Sequence, residues 1–127
     1  MNSDNVRLAV PALPEYVRLA RLTAAGLASR LGFSYDEVED LRVAVDELCY
    51  LLVGPDGRPG QIALTFAMEK VGDETGLVIT GEGAAGPRPV ELAELSQQIL
   101  AALVDSYDVS TDNGTIAFRM VRRRGVG

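Results

Sequence analysis

Glu47 is the residue of this chain best suited to acid–base chemistry. It lies in the stretch S-Y-D-E-V-E-D-L-R-V-A-V-D-E-L-C-Y-L-L, from Ser34 to Leu52, on the side away from an apolar stripe, with Val43, Tyr50 and Leu51 around it and Asp40 and Gly54 nearby. A carboxylate in that position can take a proton from a substrate hydroxyl. From composition alone it reads as one more solvated charge, since the outward side of a helix is normally charged. Other reactive side chains are scarce. The chain contains no histidine, which removes imidazole from catalysis and metal binding. Its one cysteine, Cys49, excludes an internal disulfide and borders the apolar stripe as a small core residue. The run G-E-G-A-A-G-P-R-P, Gly81 to Pro89, follows a strand but lacks G-x-x-x-x-G-K-[ST], so as a phosphate loop it is a weak signal. Arg119, Arg122, Arg123 and Arg124 crowd together near the C-terminus, where a solvated tail is the expected reading and a binding patch the alternative.

The elements that must position these residues can be read from periodicity and punctuation. In the Glu47 stretch, Val38, Leu41, Val45, Leu48 and Leu52 recur at spacings of three and four, the pattern of a helix with one buried face. Ser34 and Glu37 form an S-x-x-E capping box, and Phe33 is placed for a staple to Val38. At 1.5 Å per residue this helix is about 28 Å long, enough to cross a small domain. Before it, Val6 to Val10 reads as a strand ended by Pro11 and Pro14, and a helix follows to about Leu31. Its buried stripe is Val17, Ala20, Ala24, Leu27, Ala28 and Leu31, and Gly32 stands where a C-terminal cap is expected. Leu19, Leu22 and Gly26 form a second surface, either extra core or an interface.

After the central helix, G-P-D-G-R-P-G (Gly54 to Gly60) is a turn-rich connection. Gln61 to Lys70 and Leu77 to Thr80 form a hairpin around G-D-E-T-G. Glu91 to about Ser106 is a helix with Leu92, Leu95, Ile99, Ala102 and Leu103 on one face. Tyr107 to Thr111 and Thr115 to Arg122 pair across D-N-G, a strong hairpin turn.

The 127 residues suit a single domain, expected over 1–127 with 6–122 ordered and a basic tail at 123–127. A net charge of −6 makes nucleic acid a poor partner. No apolar run approaches the roughly 18 residues of a membrane span, and no signal-peptide pattern is present, so a cytoplasmic protein is expected.

The segments V-R-L-A-V-P-A-L-P-E-Y-V-R-L-A-R and D-L-R-V-A-V-D-E-L-C-Y-L-L resemble the RsbW/SpoIIAB family of bacterial anti-sigma factors, members of the histidine kinase/Hsp90-like ATPases. The resemblance extends over about residues 6 to 122, ending in G-T-I-A-F-R-M-V. Together with the order of elements it implies a two-layer α/β sandwich: a mixed, mainly antiparallel sheet of about five strands with three helices on one face. In the family a helix carries E-x-x-x-N. Glu47 matches the glutamate, the general base, but Leu51 stands where an asparagine holds magnesium, and leucine offers no oxygen ligand. The family's D-x-G-x-G receives adenine; here Gly81 replaces the aspartate, Gly83 matches the first glycine and Ala85 replaces the second. The family's second G-x-G, a phosphate site at a helix start, is absent around Ser96.

The resemblance therefore implies a regulator that binds and sequesters a sigma factor without ATP or any other cofactor. On this reading Val17, Arg18 and Arg21 contact the partner, Arg21 lying in A-R-L-T where the family has A-R-V-T. The alternatives are an ATP- and magnesium-dependent serine kinase of an anti-anti-sigma factor of STAS type, or a module of the same fold that binds a different protein. A homodimer through Val6 to Val10 and the first helix is also expected, the first strand lying at a sheet edge. Leu51, Tyr50 and Val43 are expected to fill or cover what is a nucleotide pocket in relatives.

Overall fold

The computed structural model describes residues 5–71, 73–86 and 91–125. In chain order it holds strand β1 (Val6–Pro11), a single 3-10 turn (Pro14–Tyr16), helices α1 (Val17–Arg30) and α2 (Tyr35–Val53), strands β2 (Gln61–Val71) and β3 (Glu74–Ala84), helix α3 (Glu94–Leu103), and strands β4 (Ser106–Asp112) and β5 (Thr115–Arg123). Gly72 of the expected G-D-E-T-G turn, residues 87–90 of the glycine-rich stretch and residues 126–127 of the expected tail lie outside the described residues.

The five strands form one sheet in the order β1-β2-β3-β5-β4, which places β1 at an edge as expected. Every pairing is antiparallel, so the expected fold class holds without the parallel component that a mixed sheet would include. The side chains of Val10, Ile62, Leu64, Phe66, Leu77, Ile79, Ile116, Phe118 and Met120 share one buried core with the helices. The central helix α2 packs against β3 and β5, with α1 and α3 as its helical neighbours.

The local signals explain the helices. Ser34 Oγ accepts from the Glu37 amide at 3.1 Å while Glu37 Oε1 accepts from the Ser34 amide at 2.8 Å, a reciprocal capping box. Phe33 and Val38 are both buried beside it. Helix α1 ends in a Schellman motif: the Gly32 amide donates to Ser29 O at 3.1 Å and the Phe33 amide to Ala28 O at 3.0 Å. Gly32 has φ +89°, a conformation that favours glycine. Leu19 and Leu22 are exposed at 42% and 51%, so the second surface of α1 lies outside the core.

Three expectations change. The glycine-rich stretch does not begin after the strand: Gly81, Glu82, Gly83 and Ala84 belong to β3 and pair on both sides or with β5. Two neighbouring strands offer the backbone groups of Gly81 and Glu82 partners, and β5 alone those of Gly83 and Ala84, which outweighs the weak strand preference of glycine. Helix α3 starts at Glu94 and stops at Leu103, and its buried face is turned by about one residue from the expected one. Leu100 is fully buried, whereas Leu95 is 67% exposed and Ala102 also faces out.

The third change concerns the arginine cluster, which is not a solvated tail. Arg119 and Arg122 lie within β5, and Arg122 Nη2 stands 3.4 Å from Asp40 and 3.8 Å from Glu37. Arg124 donates to the carbonyl of Leu31, which caps α1, at 3.0 Å. The Gly125 amide donates to Glu37 Oε2, so the end of the described chain is clasped onto the start of α2.

Glu37 is the acid-sensitive member of that clasp. Burial pushes its carboxyl up, but the Ser34 and Gly125 amides, the Ser34 hydroxyl and the Arg122 guanidinium together hold it below its ordinary value of 4.5. A carboxylate with a lowered native pKa contributes stability above its unfolded pKa, and that contribution is lost as pH falls through the native value. Glu37→Gln, which can still close the capping box, is therefore expected to lose less stability than the parent between pH 7 and about pH 3.5 in urea melts. Equal losses in the two proteins would remove Glu37 from the acid response.

Candidate functional site

The α2 helix projects its chemistry outward over a hydrocarbon base. Glu47 is half-buried, and no hydrogen bond or ion pair to its carboxylate is found among the described residues. Val43 and Tyr50 are exposed at 43% and 45%, so both face outward on α2. Leu51 differs from the expected outward position: it is fully buried. It lies three residues beyond Leu48 and so falls on the core side of the helix, one turn further along. Cys49 is equally buried, and burial pushes its thiol up to about 12, Asp46 adding to the rise and Arg21 opposing it. It stays protonated and is no nucleophile.

Facing Leu52 is the end of β3, where Gly81 stands at the position for which the resemblance implies an aspartate. A Cβ built at Gly81 would meet Phe118 Cε2 at 2.6 Å, Phe118 Cζ at 2.8 Å and Leu52 Cδ1 at 3.1 Å. Phe118, the β5 residue paired with Gly81, leans into the space that a side chain would use, and it is itself only 3% exposed. At Gly83 a Cβ would stand 3.1 Å from Ile62 Cγ2. The glycines of this strand thus serve close packing, as glycine within a strand often does. Ala85 continues the strand end, its amide donating to Gly114 O at 2.7 Å.

Open space exists instead beyond the end of α2. A cleft of about 510 Å³ is bordered by Gly54, Pro55, Arg58, Ala84, Ala85 and Gly86. A shallower groove of about 270 Å³ lies between the helices, bordered by Pro14, Val17, Arg21, Asp46, Tyr50 and Gly54. Arg21 and Asp46 form an ion pair at 2.6 Å, with side-chain exposures of 30% and 46%. A pair this exposed contributes at most about 1 kcal/mol, so opening it to engage another charge costs little. Arg18 is exposed beside it, but Val17 is buried at 6%. Its place on the inward stripe of α1 puts most of Val17 in the core, and only its edge borders the groove that holds Arg21.

The structure thus separates the candidates into two groups. Leu51, Gly81 and Gly83 belong to a packed interior, whereas Glu47, Arg18 and Arg21 lie on outward faces of the helical hairpin. Sequence reasoning missed Asp46 as the partner of Arg21 and Arg58 as a constituent of the cleft. A signal for Arg58 was present: Pro55 has no amide proton to offer Leu51 O, and a donor had to come from elsewhere.

No family model matches the chain. Serine-protein kinase RsbW of Bacillus pumilus is 32% identical over 133 aligned positions, which cover 87% of this chain and 81% of that protein. The Bacillus subtilis protein of the same description is 39% identical over 85 positions, covering 65% of this chain and 52% of its own length. That of Oceanobacillus iheyensis is 46% identical over 70 positions, covering 53% and 44%. A crystal structure of RsbU and RsbW domains from Mycobacterium tuberculosis matches 96% of this chain and 33% of that chain with a TM-score of 0.69 at 15% identity, a likeness of fold. The motifs, the sheet order and a relative 32% identical across 81% of its own length converge: the chain belongs to the RsbW family.

Proposed function

We propose that this chain is an anti-sigma factor that sequesters a sigma factor through the outer face of the α1–α2 hairpin and does so without ATP. The observation that carries the nucleotide-free part is the packing at Gly81. Where the family's adenine-binding aspartate would stand, the Phe118 ring and Leu52 occupy the space of even a Cβ atom. Leu51 adds to this, because the position of a magnesium ligand is a fully buried aliphatic side chain. Hydrogen bonds to charged groups contribute about 1.5–3 kcal/mol each, so losing the adenine, metal and phosphate contacts together weakens nucleotide binding by orders of magnitude. Contact with the partner would fall to Arg21 and Arg18, and a STAS-type antagonist would compete for the same surface. A second copy of the chain across the β1 edge is compatible with both roles.

Two observations favour a second reading, a serine kinase: the relatives carry that description, and Glu47, at the general-base position, has no hydrogen bond or ion pair to its carboxylate among the described residues. The two are separated by recovering the tagged chain from its source cells before and after enzymatic removal of ATP. A sigma subunit retained in both samples, and lost on Arg21→Ala, is the expected result. The loss on Arg21→Ala should reach about 2 kcal/mol or more, as when one partner of an interfacial charge pair is truncated. Retention that requires ATP with magnesium, or transfer of the ATP γ-phosphoryl group to a co-purified protein, would establish the kinase reading in its place.

A further inference from the structure

We propose that Arg58 is a positioning residue, a built-in clasp that fixes the end of α2, and with it the Arg21 groove, against the end of β3 and the entrance to α1. The sequence creates the need. In a continuing helix the carbonyl of Leu51 would accept from the amide four residues on, but that residue is Pro55, which has none. Helix α2 stops at Val53, and the Gly54 amide closes back only onto Tyr50 O, at 2.8 Å. Arg58 Nη1 donates instead to Leu51 O at 3.0 Å and reaches Leu52 O at 3.4 Å. The same nitrogen donates to Ala84 O, at the end of β3, at 3.1 Å. A guanidinium is well matched to this role, because its charge complements the negative end of the helix and strengthens each hydrogen bond.

The backbone of the same residue makes the third attachment. The Arg58 amide donates to Ala12 O at 2.8 Å, and the Ala12 amide donates to Gly60 O at 3.0 Å, tying the loop to the segment that leads into α1. The loop curls tightly enough to do this because Gly57 has φ +82°, with Leu13 Cδ2 only 2.7 Å from where a Cβ would be. One residue therefore joins three elements that are distant in sequence. Val53, Gly54 and Pro55 border both the cleft that holds Arg58 and the groove that holds Arg21, so the last turn of α2 is a wall common to the two. The link from clasp to partner surface rests on the anti-sigma reading above; the clasp itself does not.

Hydrogen exchange on the whole chain, free of partner, tests the clasp. In Arg58→Ala the amides of Ala12, Gly54 and Ala85 should exchange at least about 10-fold faster, while those of β5 at Phe118 and Met120 stay within about twofold of the parent. Ethylguanidinium should restore protection at the three amides, and sodium chloride at matched ionic strength should not. Unchanged exchange at the three sites, an equal acceleration throughout β5, or a failure of ethylguanidinium to rescue would each overturn the proposal. Should Arg58→Ala not fold, Arg58→Met supplies the same comparison: it keeps an unbranched aliphatic stem but offers no donor to α2 or β3, and parent-like protection at both Gly54 and Ala85 would reject the clasp. The partner arm is read separately. A sigma subunit recovered equally by Arg58→Ala and the parent, but lost on Arg21→Ala, would confine Arg58 to the fold and overturn its positioning role while leaving the anti-sigma reading intact.

Discussion

Leu51→Asn is expected to lower the melting temperature by about 10–20 °C and to leave ATP binding undetectable, although it places the family's own residue at the metal-ligand position. The size of the effect follows from burial. Leu51 is fully enclosed, between Leu48 and Leu52 on the core side of α2. Truncating an enclosed leucine costs about 2–5 kcal/mol, and a buried amide left without partners adds a penalty of about 1–3 kcal/mol. The asparagine only partly refills the volume, so a net loss of about 3–5 kcal/mol is the reasonable sum. Thermal unfolding followed by circular dichroism, paired with calorimetric titration of ATP and magnesium, checks both halves. A variant that melts like the parent would mean that position 51 can turn to solvent, and saturable ATP binding would mean that the site needs only this one residue.

Substitution at Gly81 should reveal the same packing from the opposite side. Gly81→Ala is expected to destabilise by about 1–3 kcal/mol, the usual cost of overpacking a filled core, because its methyl group would overlap the Phe118 ring. Gly81→Asp should be worse, since a carboxylate would be forced among Phe118, Leu52 and the core without a described cation beside it. The diagnostic measurement is a double-mutant cycle. Phe118→Leu alone loses packing, but in the Gly81→Ala background it also relieves the overlap, so the two changes together should cost less than their sum by about 1 kcal/mol or more. Simple additivity would show that the ring moves aside freely and that the space beside Gly81 is available after all. In that case the nucleotide-free proposal would lose its main support.

These two positions also show where reading the chain one residue at a time succeeded and where it stopped. The exchange of asparagine for Leu51 and of aspartate for Gly81 was visible in the sequence, and so was its chemical meaning. What the sequence did not reveal was that Leu51 lies on the core side of α2 and that Phe118 and Leu52 close the space beside Gly81. Leu51 was expected on the outer side with Val43 and Tyr50, because a residue four after Glu47 lies on nearly the same helical face. The helix is buried over a wider arc than its apolar stripe required, since α1, α3 and the sheet all pack around it. The α3 face slipped for a related reason: Leu92, Leu95 and Ile99 fit the helical period as well as the observed face does, and only the neighbouring elements select between them.

Local order was therefore set by the chain itself. The capping box at Ser34 and Glu37, the glycine closure after Ala28, the alternating strands and the D-N-G hairpin all depend on residues within a few positions of one another, where the backbone has few alternatives. The tertiary structure decided everything that depends on a distant partner. It moved the arginines of β5 from an expected tail into contacts such as Arg122 with Asp40, 82 positions away. It put Phe118 over Gly81, paired Arg21 with Asp46, and brought Arg58 onto the end of α2 and the end of β3. Periodicity says which side of an element is apolar, but the identity of the group that fills a gap or satisfies a carbonyl is fixed only when separate elements pack together.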